Sequence, residues 1–183
     1  MTDALPIGLE LGWIERDLRA LDRAGADVLV GACFDDDSPP RGAAGLVDWR
    51  LGARLSRLCL GGFLTGAIGE RLLLPARPRL PFDKVLLVGL GPRATFDEQR
   101  YLAALSDVLD ALDGLRVRRA AIELPGRHAA AIGAQRALEL LLIALGQRPA
   151  QLEALSVVDD REAQRFVEAI RARPARRNPE ARR

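Results

Sequence analysis

Aromatic residues make up only 4% of the 183 residues. Stacking platforms for single-stranded nucleic acid are therefore scarce, and leucine, valine and alanine must fill the core. Lysine is nearly absent: Lys84 is the sole lysine among 27 basic residues, so 26 are arginine. Cysteine is limited to Cys33 and Cys59, both among apolar neighbours and without a CxxC spacing. That pattern reads as two buried free thiols in a reducing compartment, not a disulfide framework. His128 is the lone histidine, and one histidine with two separated cysteines gives no recognisable zinc set. No run reaches the roughly 18 apolar residues that a membrane span needs. The N-terminus has no basic segment followed by an apolar stretch, so no signal peptide is read and the expected location is cytoplasmic.

What is present suits one soluble domain. Hydrophobic residues are 49% and charged residues 28% of the chain. The net charge of +2 is unevenly placed. Residues 171–183 carry six arginines against Glu180, a formal +5, which leaves −3 for the rest. The chain reads as an acidic body, residues 1–172, and a basic, disordered tail, residues 173–183. A basic nucleic-acid-binding face is not indicated.

Several apolar runs read as strands: 7–12, 27–34, 71–74, 85–89, 119–124 and 154–158. Leucines and valines at helical spacing predict helices over 43–58, 96–112 and 128–145, and Asp159 or Asp160 caps a last one ending near Arg171. Strand and helix alternate through the second half, which predicts an α/β sandwich around a mixed or parallel sheet.

Two glycine-bearing turns stand out. Gly89, Gly91 and Arg93 follow an apolar strand in a GxGxxA pattern that formally fits a dinucleotide fingerprint. Pro92 removes one amide donor there, and Glu123 is the nearest, poorly placed carboxylate for a ribose. A tight strand-to-helix turn is the stronger reading. Gly42, Ala43, Ala44 and Gly45 open a helix whose free amides suit an anion, or simply pack tightly on the sheet. Asp35, Asp36 and Asp37 read as a solvated acidic loop, and His128, after Pro125-Gly126, as a surface histidine. None of Ser38, Ser56, Ser106 and Ser156 sits in a GxSxG elbow.

Taken in order, Asp17, ADVLVGACFDD, RGAAGLVDWRLGARLSRL, GGFLTGAIGERLLLP and DKVLLVGLGPRATFD resemble the N-terminal domain of the leucyl (cytosol) aminopeptidases, from about Leu9 to Leu124. The resemblance implies a three-layer, macro-domain-like sandwich with a central mixed sheet flanked by helices. In that family the peptidase chemistry belongs to a separate C-terminal domain, where Lys, Asp and Glu residues in signatures such as NTDAEGR hold two metal ions. No such signature occurs here, so the resemblance implies a stand-alone, non-catalytic domain with no cofactor. It also implies an assembly or regulatory role, as a homo-oligomer or with a full-length aminopeptidase. The alternatives are a module that binds ADP-ribose or a related nucleotide and, against the missing signature, a metal-dependent aminopeptidase. By likeness to macro domains, Asp17 would lie near the adenine, with Gly42–Gly45 and Gly89–Ala94, including Arg93, as the two loops around the ligand. Cys33-Phe34-Asp35 stands where ADP-ribose hydrolases carry an Asn-rich stretch, which speaks against hydrolysis.

Overall fold

The computed structural model describes residues 5–148 and 151–173. The tail expected from residue 173 onward lies, apart from Arg173, outside the described residues.

Alternation of apolar side chains decides the architecture. Strand β2 (Ala26–Cys33) sends Val28, Val30 and Ala32 into one core and Leu29 and Cys33 into another. Strand β4 (Phe82–Gly89) does the same with Leu86 and Val88 against Val85 and Leu87. Side chains two apart share a face, so a strand apolar at every position must be covered on both sides. Helices α1 (Leu18–Arg23), α2 (Gly42–Arg50) and α3 (Arg54–Leu60) belong to one layer, through Leu21, Ala43, Val47 and Leu55. Helices α4 (Glu98–Gly114), α5 (Ala134–Gly146) and α6 (Arg161–Arg171) cover the other, through Leu105, Leu109, Leu141 and Val167. Each such leucine contributes about 1.5–3 kcal/mol on burial. The fold is thus the expected three-layer α/β sandwich.

The remaining strands are β1 (Glu10–Glu15), β3 (Arg71–Pro75), β5 (Arg119–Ile122) and β6 (Ala154–Asp159). The six-stranded sheet runs β1-β6-β5-β2-β4-β3, and only β3 is antiparallel to its neighbour. Five strands therefore end at the same edge, and the loops that follow them converge there.

Helix α1 has no counterpart in the sequence reading, β4 starts three residues early at Phe82, and three further elements differ. The first strand starts at Glu10, not residue 7, because Gly8 turns the chain with φ of 83° and Glu10 is the first residue in register with β6. The helix expected over 43–58 is two helices, α2 and α3. Gly52 and Ala53 both take left-handed φ values, 65° and 60°, which no continuous helix accommodates. Asp48 joins the halves: its carboxylate accepts from the Leu55 and Ser56 amides, at 2.7 and 3.0 Å, and so caps α3. The helix expected from His128 begins only at Ala134, after a short 3-10 turn over Arg127–Ala129.

Candidate functional site

Five loops meet at the carboxyl ends of the parallel strands, the place where open α/β sheets hold ligands. In this chain that place is filled by its own charged side chains. Glu123 stands one residue past β5, with its amide still donating to Val30, and it is 1% exposed. One carboxylate oxygen accepts from Arg16 at 3.1 Å, the other from the Ala43 amide in the first turn of α2 at 3.0 Å. His128 packs beside it with a fully buried side chain. Its Nε2 lies 2.8 Å from Asp37, and its Nδ1, 3.8 Å from Glu123, has no hydrogen-bond partner among the described residues.

Asp37 is the second centre. It accepts from the Phe34 amide at 2.9 Å and from Arg93 at 2.6 Å. The Arg93 guanidinium lies over the Phe34 ring, 5.2 Å from its centroid. Burial pushes the Asp37 carboxyl up, but the His128 hydrogen bond, the Phe34 amide and the charges of His128 and Arg93 outweigh it and hold it below the usual carboxylate range. For Glu123 the balance is reversed. Burial pushes it above its ordinary value against the pull of His128, Arg16 and the Ala43 amide. A third pair closes the site behind β6: Arg127 donates to Asp159 at 2.7 and 3.1 Å and to the Ile132 carbonyl at 2.7 Å.

The residues expected to form a ligand site are only partly brought together. Ala43 is at the centre, and Gly42 lies against it. A Cβ on Gly42 would stand 2.4 Å from the His128 Cβ and 2.5 Å from the Glu123 carboxylate, and the residue has φ of 59°. Ala44 packs over Gly31 of β2, and Gly45 allows the Pro40 carbonyl to approach. Gly89 and Gly91 serve the backbone of the 66–67 turn. A Cβ on Gly89 would fall 2.0 Å from the Ala67 oxygen, and the Gly91 amide donates to Gly66 at 2.8 Å. Arg93 reaches the cluster through Asp37. Asp17 does not: its carboxylate caps α1 by accepting from the Ala20 amide at 2.9 Å, which holds its pKa below the ordinary value. Its neighbour Arg16 is the residue that enters the site.

Two sequence readings are corrected. His128 is not a surface residue, because Asp37 and Glu123 draw the ring inward against Phe34. The acidic loop is not uniformly solvated: Asp35 and Asp36 are exposed, while Asp37 turns inward to the Phe34 amide and is 4% exposed. The cysteines are free, but only Cys33 is fully buried, and burial pushes its thiol up to about 12. Both line a cavity of about 280 Å³ beside Asp37, together with Phe34, Leu64 and Thr65. Among the described residues, no three His, Cys, Asp or Glu side chains are placed to hold a metal ion. No helix among them is long and apolar enough to cross a membrane.

Arg16, Asp37, Glu123 and His128 escaped the sequence reading as a set because Arg16 meets Glu123 across 107 residues of chain and His128 meets Asp37 across 91. The one available signal was a glutamate closing the apolar run of β5, where a charge must find a partner.

Comparison with known proteins gives a consistent picture. The sequence profile described as "Cytosol aminopeptidase family, N-terminal domain" matches residues 29–148. A probable cytosol aminopeptidase of Stenotrophomonas maltophilia is 37% identical over 97 residues, which are 53% of this chain and 19% of that protein. The chain thus spans about a fifth of the length of such relatives. Among solved structures, a variant of tomato leucine aminopeptidase superposes with a TM-score of 0.61 at 16% identity, covering 91% of this chain and 36% of that one. The Trypanosoma brucei macrodomain in complex with ADP superposes with a TM-score of 0.67 at 15% identity, over 89% of this chain and 69% of that one. At such identities the two structures establish a shared macrodomain-like fold.

Proposed function

Because this chain belongs to the cytosol aminopeptidase family, matching its N-terminal domain, we propose that it is a non-catalytic assembly or partner-binding domain, acting as a homo-oligomer or on a full-length aminopeptidase. The observation that carries this reading is its exposed apolar surface. Trp49, Leu60, Phe63 and Ile68 are 75%, 84%, 76% and 62% exposed, and all four fall within α2, α3 and the turn that follows. Isolated apolar residues on a surface need no explanation, but four large ones within twenty residues support the reading of this segment as an interaction face. Aromatic side chains of this kind anchor interfaces by filling pockets on the partner.

The experiment is light scattering on the purified chain, followed by co-purification with a full-length family member. An oligomer, or a stoichiometric complex lost in a Trp49→Ser, Phe63→Ser variant, supports the proposal. A monomer that captures no aminopeptidase under any condition overturns it.

A second reading is an ADP-ribose-binding module built on the Gly42–Gly45 turn and Arg93, with Gly89 and Gly91 shaping the loop beside them and Asp17 left outside as the cap of α1. The fold likeness to an ADP-bound macrodomain favours it. It requires Glu123 to leave the Ala43 amide. Thermal unfolding with ADP-ribose tests it: ligand at a hundredfold its Kd adds about 2.7 kcal/mol. The absence of any shift at millimolar ligand removes this reading.

A further inference from the structure

The first turn of α2 is built like an anion site yet already holds an anion. The helix has nine residues, and its N-cap, Arg41, makes no side-chain capping bond. Gly42 has left-handed φ and lacks the Cβ that would fill the space ahead of the amides. Free amides and the helix dipole at such a terminus favour negative charge. Here the Ala43 amide donates to Glu123 at 3.0 Å, and Arg16 braces the same carboxylate from the other side at 3.1 Å. His128 supplies the independent sign that the place suits a ligand with acceptor atoms. Its side chain is fully buried, and its unpartnered Nδ1 faces the carboxylate 3.8 Å away, beyond hydrogen-bond reach.

We propose that Glu123 is an intramolecular stand-in for a phosphate group: its carboxylate occupies the anion cradle of Ala43, Arg16 and His128 and closes it to phosphorylated ligands. The carboxylate has one oxygen for the amide and one for Arg16. It leaves the imidazole Nδ1 unserved among the described residues; with Nε2 on the Asp37 carboxylate, Nδ1 donates to the third oxygen of a tetrahedral anion when the ring carries both protons. The cradle is therefore shut by a single side chain, which takes the Ala43 amide and Arg16 for itself. Removing that side chain restores a site for inorganic phosphate. This inference is independent of the exposed apolar face, so failure of either leaves the other standing.

The test uses the full chain and inorganic phosphate, titrated calorimetrically against wild type, Glu123→Ala, and the double variant Arg16→Ala, Glu123→Ala. Glu123→Ala should bind phosphate at least tenfold more tightly than wild type, and the double variant should lose that gain. The proposal is overturned if folded Glu123→Ala binds no more tightly than wild type, or if wild type already binds as well as the variant. Amide hydrogen exchange in wild type provides a measurement that does not depend on the variant folding. A protected Ala43 amide, undisturbed by millimolar phosphate, is expected. Exchange at the rate of an open loop overturns the proposal.

Discussion

Replacing Arg127 with alanine tests whether the polar cluster beneath the strand ends is held as tightly as its geometry implies. The guanidinium makes two hydrogen bonds to Asp159 and a third to the Ile132 carbonyl, with side chains 7% and 2% exposed for Arg127 and Asp159. Asp159, by opposing burial, raises the Arg127 pKa above its ordinary value. Removing one member of a buried pair strands the other, at roughly 3–5 kcal/mol. Asp159 keeps one bond in the variant, from the Asp160 amide at 2.8 Å. The lower end of that range, about 3 kcal/mol, is therefore the expectation. For a domain of this size each kcal/mol moves the melting temperature by about 2–4 °C, so Arg127→Ala should melt about 6–12 °C below wild type. Scanning calorimetry measures this directly. The double variant Arg127→Met, Asp159→Leu should recover most of the loss, since an apolar pair of similar volume carries no stranded charge. A single variant melting within about 2 °C of wild type, given that scale, would refute the claim that the pair is desolvated and mutually dependent.

Three further outcomes follow from the same geometry. Asp37 is held below its ordinary pKa, so the stability it supplies is complete above the ordinary carboxylate value, near ~4, and is lost as pH falls through its depressed folded value. Denaturant unfolding across the acid range should show a steeper stability loss for wild type than for Asp37→Asn. Equal slopes would mean that Asp37 is not protected. Gly89→Ala would set a Cβ 2.0 Å from the Ala67 oxygen, and separating β4 from that turn should cost about 1–3 kcal/mol by urea melts. Phe63→Ser, at an exposed position, should leave stability within about 0.5 kcal/mol while weakening any partner complex, and a larger stability loss would show that Phe63 belongs to the core.

Much of the fold was legible because burial on two faces leaves an unmistakable trace. The runs that became β2, β4, β5 and β6 are apolar over consecutive positions, and Leu105, Leu109 and Leu112 carry the period of α4. Periodicity failed where backbone conformation decided the outcome. Leu51 and Leu55 keep helical spacing across the break between α2 and α3, so the apolar pattern conceals the left-handed turn at Gly52 and Ala53. The glycine loops were visible as glycines, but their purpose was not. Gly89 accommodates a neighbouring carbonyl, and Gly42 accommodates a histidine and a glutamate from more than 80 residues away. Lone polar residues reveal their role only through partners, and no local pattern links Arg16, Asp37, Glu123 and His128.

The cluster of Arg16, Asp37, Arg93, Glu123 and His128 also constrains how the family can diverge. Losing Asp37 strands the buried His128 Nε2, and losing Arg16 leaves the buried Glu123 with the Ala43 amide alone, so these single replacements cost more than replacing the partners together. Sequence drift at these five positions should therefore be concerted, with lineages retaining or abandoning the set as a unit. Relatives that keep a buried histidine at the position of His128 beside an apolar residue in place of Asp37 would contradict that coupling.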